Sequence, residues 1–280
     1  MRLKQQKTKV AKQANREDQE ARNRETAQLA LNPEPNPFAP AIEVYMRPAT
    51  ILDAAGIAEI YNYYVEKSNV PEDQAKISVD DAKAMVINAQ NEQLPFIVAI
   101  RGKKPASHDK QGRPGVTNKA TMPLYEAVVG FANAETFNYG FSGARNGRSR
   151  ATTNLQLYVH VDFRRKGIGR NLLDRLSHIL NPGYGYENAC PWSNPGNSKV
   201  NEAGGSGNWH QMLFQLPVLG QNDPNYAAVK DFLHKKFLFA ERTRLRAVAR
   251  SSTVLGPAKF LDVVYFQAEA APETDFDPFA

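Results

Sequence analysis

The chain has 280 residues and a formal net charge of +6, with 42% hydrophobic and 10% aromatic residues. This composition is sufficient for a buried core, in one large domain or two small ones. No apolar run is long enough to span a bilayer, and the polar N-terminal segment predicts no signal peptide. The single cysteine, Cys190, excludes an internal disulfide and a metal site built from several cysteines. We therefore expect a cytoplasmic protein, with a nuclear location as an alternative.

The first 40 residues differ in composition from the rest of the chain. Lys, Arg, Gln, Asn and Glu dominate as far as Thr26, and a proline-rich segment follows at 32–40. Low hydrophobicity predicts a disordered tail and linker over residues 1–40, followed by one folded domain over residues 41–270. Residues 271–280 form an acidic C-terminal tail. The basic tail could serve nuclear import or nucleic-acid binding, but a solubilising tail is the preferred interpretation.

Within residues 41–270, hydrophobic periodicity predicts a mixture of strands and helices. Strands are predicted at 42–46, 96–100, 126–132, 155–161, 211–219, 242–250 and 260–268. Helices are predicted at 53–65, 79–90, 168–180 and 226–237. This order is typical of an α/β domain with helices on both faces of a single mixed sheet. Long connections rich in Gly, Pro, Asn or Arg are expected at 101–122, 139–150 and 181–208.

One strand–turn–helix segment, residues 155–180, predicts a binding site for an anion. The apolar strand runs into a basic turn at 164–169, which opens directly into an amphipathic helix. The first turn of a helix offers backbone N–H groups without intrahelical partners, and the helix dipole favours negative charge there. Gly167 and Gly169 let a phosphate approach the backbone, and the basic residues at 164–166 and 170 add charged donors. The expected ligand carries a pyrophosphate, and an ordinary strand–helix turn on a basic surface is the alternative.

The glycine spacing excludes two common phosphate loops. A dinucleotide-binding turn requires a third glycine where this chain has Leu172, and a P-loop requires Gly-Lys followed by Ser or Thr. The pattern Arg164-x-x-Gly167-x-Gly169 instead resembles the pyrophosphate loop of the GNAT superfamily, the acyl-CoA-dependent N-acyltransferases. Further segments are similar to its phosphinothricin acetyltransferase-like branch. They are Met46-Arg-Pro-Ala-Thr50 with Asp53, Tyr158-Val-His160, Leu233-His-Lys-Lys236 with Phe239, and Leu261-Asp-Val-Val-Tyr-Phe-Gln267. Leu238 stands where that branch usually has glycine.

The resemblance implies a fold, a co-substrate and a set of binding residues. In this superfamily acetyl-CoA lies in a cleft where two neighbouring parallel strands splay apart, and its pantetheine pairs with the strand before the phosphate loop. The residues expected to bind acetyl-CoA here are Leu157, Tyr158, Val159, Val161, Arg164, Arg165, Lys166, Gly167, Ile168, Gly169, Arg170 and Asn171. Backbone N–H groups of the strand would polarise the acetyl carbonyl. No metal site is predicted, because no pair of His or Cys residues has the spacing of metal ligands.

The resemblance also implies catalytic roles, with one departure from the family pattern. The position that faces the leaving thiolate falls on His234, whose imidazole suits proton donation near neutral pH. An imidazole that only packs on the helix surface is the alternative. The acidic base of the family falls on Asn154, whose amide is no useful proton acceptor. Glu135, expected just past the strand at 126–132, is the candidate substitute acting through a water molecule, and a solvated loop carboxylate is the alternative.

These patterns favour an N-acetyltransferase that moves an acetyl group from acetyl-CoA to a small primary amine by direct attack in a ternary complex. The alternative is a non-catalytic acyl-CoA-binding protein of the same fold, because the acidic base is missing. A nucleic-acid-associated protein ranks last, because no motif of stacking aromatics accompanies the basic residues. A small-molecule amine is the expected partner, a membrane or nucleic acid is not, and a homodimer is left open. Acceptor specificity is expected in the loops at 66–78, 133–150 and 181–208.

Overall fold

The computed structural model describes residues 36–104, 126–138, 148–207, 209–220, 223–251 and 256–270. The chain divides into two units, Met1–Ala39 and Pro40–Ala280. Residues 1–35 of the tail and linker predicted at 1–40 lie outside the described residues, as do the tail predicted at 271–280 and most of the connections predicted at 101–122 and 139–150. In the first unit, the Ala39 N–H donates to the Asn36 carbonyl across 2.9 Å and closes a single turn. The second unit holds the sheet, the helices and the candidate site.

Seven strands of the described chain form one mixed sheet in the order β1-β2-β3-β4-β5-β7-β6. The strands are β1 Val44–Pro48, β2 Phe96–Arg101, β3 Val128–Thr136, β4 Thr152–Val159, β5 Gln211–Val218, β6 Ala240–Arg250 and β7 Phe260–Glu269. Every neighbouring pair is antiparallel except β4 and β5, which run parallel. The predicted α/β domain with a single mixed sheet is confirmed.

The parallel strands β4 and β5 separate shortly after they begin. They pair over three residues only, the last pair being Asn154 with Leu213, although β4 continues to Val159 and β5 to Val218. Over the same length β4 stays paired with β3, and β5 stays paired with β7. The two halves of the sheet therefore diverge and leave a wedge-shaped opening between them, which confirms the predicted splay of the central strands.

Four α-helices of the described chain accompany the sheet: α1 Ala54–Lys67, α2 Val79–Asn91, α3 Ile168–Leu180 and α4 Pro224–Phe237. The Tyr158 ring of β4 packs against the rings of Tyr61 and Tyr64 on α1, with centroids 5.2 Å apart in both pairs. Side chains alternate along a strand, so Leu157 and Val159 turn to the other face. There, both side chains lie beneath Gly169 of α3. Helices α1 and α3 therefore cover opposite faces, as predicted.

Two of the predicted strand boundaries differ from the structure in ways that affect site residues. Strand β3 extends to Thr136, so Glu135 lies within a strand and the prediction of a loop position is wrong. Strand β4 ends at Val159, so the prediction that it reaches Val161 is also wrong, because that residue lies in the 3₁₀ turn Val161–Phe163. The Phe163 N–H closes this turn by donating to the His160 carbonyl at 2.9 Å.

The connection predicted at 181–208 packs against an edge of the sheet. The Met46 N–H of edge strand β1 donates to the Pro191 carbonyl, and the Met46 carbonyl accepts from the Ser193 N–H, both at 2.8 Å. On α3, the Arg175 guanidinium lies over the rings of Tyr186 and Trp192, at 4.3 and 4.5 Å from their centroids. The segment therefore covers β1 and part of α3 and contributes to the core.

Candidate active site

A cavity of about 950 Å³ occupies the opening between β4 and β5. One wall is β4 from Asn154 to Tyr158, and the facing wall is formed by β5 from Phe214 to Pro217 together with α4. Residues 69–72 of the α1–α2 connection form the rim. Of the loops expected to set acceptor specificity, the one at 66–78 lines the cavity, whereas no described residue of the 181–207 segment does. The site is thus built where the sheet divides.

The edge of β4 that faces this cavity carries backbone groups without a strand partner. The His160 N–H donates to the Val129 carbonyl of β3 at 3.0 Å. Backbone polar groups alternate in direction along an antiparallel strand, so those of Leu155 and Leu157 point away from β3 into the opening. The Val159 carbonyl also points away from β3, and it accepts from the Tyr64 hydroxyl of α1 at 2.7 Å. An extended ligand with amide groups can pair with such an edge as an added strand would.

The turn after β4 enters α3 through two residues in the left-handed conformation. Arg165 has φ of +57° and Gly167 has φ of +82°. Gly167 is the N-cap of α3, and its carbonyl accepts from the Asn171 amide Nδ2 at 2.9 Å. A side chain at position 167 would be strained at this φ, which explains the glycine. The first-turn N–H groups of α3 lack intrahelical partners and lie at the positive end of the helix dipole, an arrangement suited to a phosphate.

Cationic side chains flank this turn. Arg164 lines the cavity, and its guanidinium lies over the rings of Tyr63 and Tyr64, at 5.2 and 4.8 Å from their centroids. The Lys166 ammonium donates to the Asp162 carbonyl at 2.9 Å. These contacts hold positive charge beside the N-terminus of α3, so the electrostatic potential at this end of the cleft favours an anion.

Of the residues predicted to bind acetyl-CoA, Leu157, Tyr158 and Arg164 line the cavity, and the turn that follows leads into the first turn of α3. Asn171 is buried, with 3% of its surface exposed, and its amide donates to the Gly167 carbonyl. Ile168 is buried with 2% of its surface exposed, so its side chain serves the core. Val161 lies in the 3₁₀ turn beyond β4. The binding roles of the whole set stay predictions.

A row of polar side chains crosses β3 and β4 at the end of the cleft where β4 and β5 are still paired. Glu135 faces Asn154 across the strand pair, and Asn133 faces Gln156. Glu135 Oε1 accepts from the Asn133 amide at 3.0 Å, and Oε2 accepts from the Gln156 amide at 3.1 Å. Asn154 and Gln156 line the cavity. Glu135 therefore lies one hydrogen bond behind the cavity wall.

Carboxyl groups give this second end of the cleft a negative potential. Burial raises the pKa of Glu135, and the neighbouring carboxylates of Glu72 and Asp73 raise it further. Glu72 lies at the rim of the cavity. Loss of hydration beside the cavity wall raises the pKa of its carboxyl, and the negative charge of Asp73 raises it further. Asp73 accepts from the Tyr61 hydroxyl at 2.7 Å. Burial raises the pKa of the Tyr158 hydroxyl, which keeps that group protonated.

His234, unlike Glu135, does not contact any residue of the polar row and does not line the cavity. Its exposed imidazole lies in the last turn of α4, with Nδ1 3.4 Å from the Phe239 carbonyl oxygen. The α4 side chains that line the cavity are Asn225, Val229, Phe232 and Leu233. Proton donation by His234 stays a prediction, and from this position it requires the imidazole to leave the Phe239 carbonyl.

Sequence reasoning missed Glu72 and Gln156, because no motif marks either residue. The amide of Gln156 belongs to the site through its bond to Glu135, and that bond depends on the register of β3 against β4. Glu72 reaches the rim from a loop whose path is set by tertiary packing. The only signal for Glu72 was the expectation that the loop at 66–78 shapes the acceptor end.

The fold of the chain is shared with solved acetyltransferases, although its sequence matches no protein-family model and no curated protein. The yncA structure of Salmonella typhimurium, determined with its cofactor acetyl-CoA, is 18% identical with a TM-score of 0.54, covering 84% of this chain and 99% of that one. A GNAT superfamily phosphinothricin acetyltransferase of Sinorhizobium meliloti, in complex with acetyl-CoA, is 18% identical with a TM-score of 0.53, covering 85% and 94%. An N-acetyltransferase of Staphylococcus aureus Mu50 is 19% identical with a TM-score of 0.52, covering 82% and 99%. The chain therefore has the fold of the GNAT acetyltransferases, including the phosphinothricin acetyltransferases.

Two further findings concern the described residues only. None of their helices combines the length and apolar character needed to cross a membrane. Among the same residues, no group of three or more His, Cys, Asp or Glu side chains is placed to hold a metal ion.

Proposed function

We propose that this protein is an acetyl-CoA-dependent N-acetyltransferase that acetylates a primary amine of a small molecule. The observation that carries the proposal is the divergence of β4 from β5 beside a basic, glycine-containing helix N-terminus. The unpaired edge of β4 suits the amide groups of pantetheine, and the helix N-terminus suits the pyrophosphate. Structures of the same fold from Salmonella typhimurium and Sinorhizobium meliloti were solved with acetyl-CoA, which supports this choice of acyl donor.

The residues of the cleft fit an acyl-CoA in both shape and charge. Arg164 and Lys166 would neutralise the pyrophosphate, and the backbone of Leu155 and Leu157 would pair with the pantetheine. A backbone N–H of this edge would also donate to the thioester oxygen, where negative charge develops during acyl transfer. The thioester would then lie beside the polar row at Asn154.

The proposed reaction is a direct transfer in a ternary complex. The neutral acceptor nitrogen attacks the thioester carbonyl carbon, a C–N bond forms, the C–S bond breaks, and coenzyme A leaves as the thiolate with the bonding electron pair. The amine proton passes through a water molecule to Glu135, and the thiolate takes a proton from His234. Holding the two substrates together lowers the barrier by roughly 7–11 kcal/mol, so positioning contributes more than either proton transfer.

Glu135 suits the role of proton acceptor better than Asn154, because only its carboxylate binds a proton usefully. Its raised pKa brings it closer to neutral pH, where general-base catalysis is most efficient. Asn154 and Gln156, which neighbour Glu135 on β4, line the cavity, and the proposed water molecule would lie between them, with a direct hydrogen bond to the Glu135 carboxylate.

The role of His234 is tested by H234F. We expect the substitution to lower kcat, because the leaving thiolate loses its proton donor, while the Kd of acetyl-CoA stays unchanged. Thiol-release kinetics and a calorimetric titration measure the two quantities. A wild-type kcat in H234F would show that the imidazole only packs at the end of α4.

The proposed activity is tested by adding acetyl-CoA and a panel of amines and amino acids to the purified protein and measuring free thiol. Binding of acetyl-CoA followed by thiol release is the expected result, and it names the acceptor class. Binding of acetyl-CoA without thiol release in the presence of any acceptor would favour a non-catalytic acyl-CoA-binding protein, consistent with Asn154 at the position of the family's base. Failure to bind acetyl-CoA would overturn the proposal.

A further inference from the structure

The polar row behind the cleft contains three buried amide oxygens that accept no hydrogen bond. They are Asn133 Oδ1, Asn154 Oδ1 and Gln156 Oε1. Buried acceptors are nearly always satisfied in folded proteins, so each such oxygen requires an explanation. Asn154 is only 8% exposed, yet it lines the cavity, as Gln156 does. A ligand in the cavity could therefore supply the missing donors to these two residues.

The orientation of two of these amides follows from Glu135. An ionised carboxylate only accepts hydrogen bonds, so the Asn133 and Gln156 groups that face it must be the NH₂ groups. Their carbonyl oxygens are consequently the atoms left without a donor. The polar row thus presents acceptors, and the ligand group that complements it is a donor.

The charges around this end of the cleft favour a cationic donor. Glu72 lies at the rim of the cavity, and its carboxylate acts on Glu135 together with that of Asp73. The two arginines that line the cavity lie elsewhere. Arg164 follows the far end of β4. On the other side of the cleft, Asn154 pairs with Leu213 of β5, and Leu213 pairs with Gln267 of β7. Arg250 pairs with Phe260, which is seven residues along β7 from Gln267. At a rise of about 3.4 Å per residue, Arg250 lies roughly 24 Å from the level of Asn154.

We infer that Glu72, Asn154 and Gln156 form a subsite for an alkylammonium group, so that the acceptor is an aliphatic diamine or polyamine. This inference rests on the proposed acetyl transfer. An ammonium carries three N–H donors and one positive charge, which complements two amide oxygens and a carboxylate. One amine of the acceptor stays protonated in the subsite, while the other loses its proton and attacks the thioester.

The same arrangement disfavours amino acids as acceptors. An α-carboxylate beside Glu72 and Glu135 would be repelled, and it would offer no donor to the oxygens of Asn154 and Gln156. Described residues near this end provide no arginine or lysine among the cavity walls to offset the charge. The subsite therefore selects against the carboxylate as well as for the second amine.

Putrescine and butylamine provide a matched test, because both have a four-carbon chain and they differ by one amine. Each is assayed as an acceptor by thiol release at saturating acetyl-CoA, with glutamate as the amino acid. Each amine is also titrated calorimetrically into the protein in the presence of coenzyme A. We expect kcat/KM for putrescine to exceed that for butylamine by about tenfold or more, since only putrescine places a charged hydrogen-bond donor in the subsite.

The variant E72Q should reduce this preference severalfold while the Kd of acetyl-CoA is unchanged. E72Q changes an exposed rim residue and is expected to fold normally. E202Q, which removes the charge of an exposed glutamate outside the cavity, is the control and should keep the full preference. Equal kcat/KM and equal binding of the two amines would overturn the subsite while leaving acetyl transfer intact. If acetyl-CoA does not bind, acetyl transfer fails, and tighter binding of putrescine than of butylamine would still support the subsite.

Discussion

Glu135 lies opposite Asn154 across the β3–β4 pair, so a carboxyl group remains within one hydrogen bond of the cavity although the β4 position itself carries an amide. With Asn154 at the wall and Glu135 behind it, contact with the substrate and uptake of a proton belong to two residues, whereas a single acidic residue at position 154 would do both. The amide of Asn154 contacts the cavity without charge, and the carboxylate behind it can take up a proton. We propose that this division keeps a base in the site and leaves its wall free to accept hydrogen bonds from a substrate.

The variant E135Q tests this division directly. We expect turnover to fall by about 10²–10⁴-fold at neutral pH, because general-base catalysis contributes on this scale. In the wild type, activity should be lost as the pH falls and Glu135 becomes protonated. Since burial and neighbouring carboxylates raise its pKa, this loss should occur at a higher pH than the ordinary glutamate value of about 4.3.

The measurement is kcat/KM by thiol release as a function of pH for both proteins. The low-pH limb should disappear in E135Q, and the Kd of acetyl-CoA and the melting temperature serve as controls. Wild-type turnover in E135Q would contradict the role of Glu135 as proton acceptor.

Leu238 ends α4 in the left-handed conformation, with φ of +60°. Glycine is the usual residue at this helix position, because a Cβ costs roughly 1–2 kcal/mol there. Leu238 is 81% exposed, so its side chain contributes little burial in return. We expect L238G to raise the free energy of unfolding by about 1 kcal/mol, measured by urea denaturation. L238A keeps the Cβ and should show no such gain, and equal stability of the two variants would contradict the strain.

The sequence could predict the strained residue but not the strand that contains Glu135. Leu238 was recognisable because it replaces a glycine of the family pattern, and the pattern is local. Glu135 belongs to a polar segment with Asn133, which is typical of a loop when it is viewed alone. These residues become part of β3 because Gln156 and Asn154 of β4 pair with them, and no local signal records that pairing.

At the scale of secondary-structure elements, the exposed edge of β4 is the central feature. Leu157 directs its N–H toward the cleft, whereas Gln156 directs its N–H toward β3, because successive residues alternate. Proline removes the N–H in either position. L157P should therefore keep the β3–β4 hydrogen bonds and lose a donor to acetyl-CoA, whereas Q156P should break the sheet ladder.

We expect L157P to melt somewhat below the wild type, because the Leu157 side chain packs against α3, and to bind acetyl-CoA about tenfold more weakly, a change of roughly 1.4 kcal/mol. Q156P should have a much lower melting temperature. Calorimetric titration and thermal denaturation monitored by circular dichroism measure both effects. Unchanged acetyl-CoA affinity in a folded L157P would contradict the role of this strand edge.

The elements themselves were predicted from sequence because their signals are local. The strand–turn–helix at the phosphate loop combines alternation, two glycines and a helical apolar stripe in one continuous stretch, and α3 begins at Ile168 as predicted. The splay of β4 from β5 is different, because it joins strands more than 50 residues apart. The resemblance to the GNAT superfamily predicted this splay, and hydrophobic periodicity alone does not predict it. The contact of Met46 with residues 191–193 is likewise non-local and had no signal.

At the scale of the whole folded unit, the cleft separates two environments of opposite charge. The basic turn before α3 lies at its open end, and Glu72 and Glu135 lie toward the end where β4 and β5 still pair. A polyanionic acyl donor and a cationic acceptor would each be attracted to a different end. The 181–207 segment packs on β1 and α3, so its described residues stabilise the sheet without entering the cleft.

The first measurement to make is a calorimetric titration of acetyl-CoA into the wild type, G169A and G169D. A Cβ at position 169 would lie 3.4 Å from Leu157 and Val159, an ordinary contact, so alanine fits the turn. Aspartate adds a negative charge in the first turn of α3, where we propose that the pyrophosphate binds. We predict binding by the wild type and G169A with similar Kd, and binding weakened by about tenfold or more in G169D, or roughly 1.4 kcal/mol. No binding by the wild type, or equal affinity of G169A and G169D with similar melting temperatures, would contradict an acyl-CoA site in this cleft.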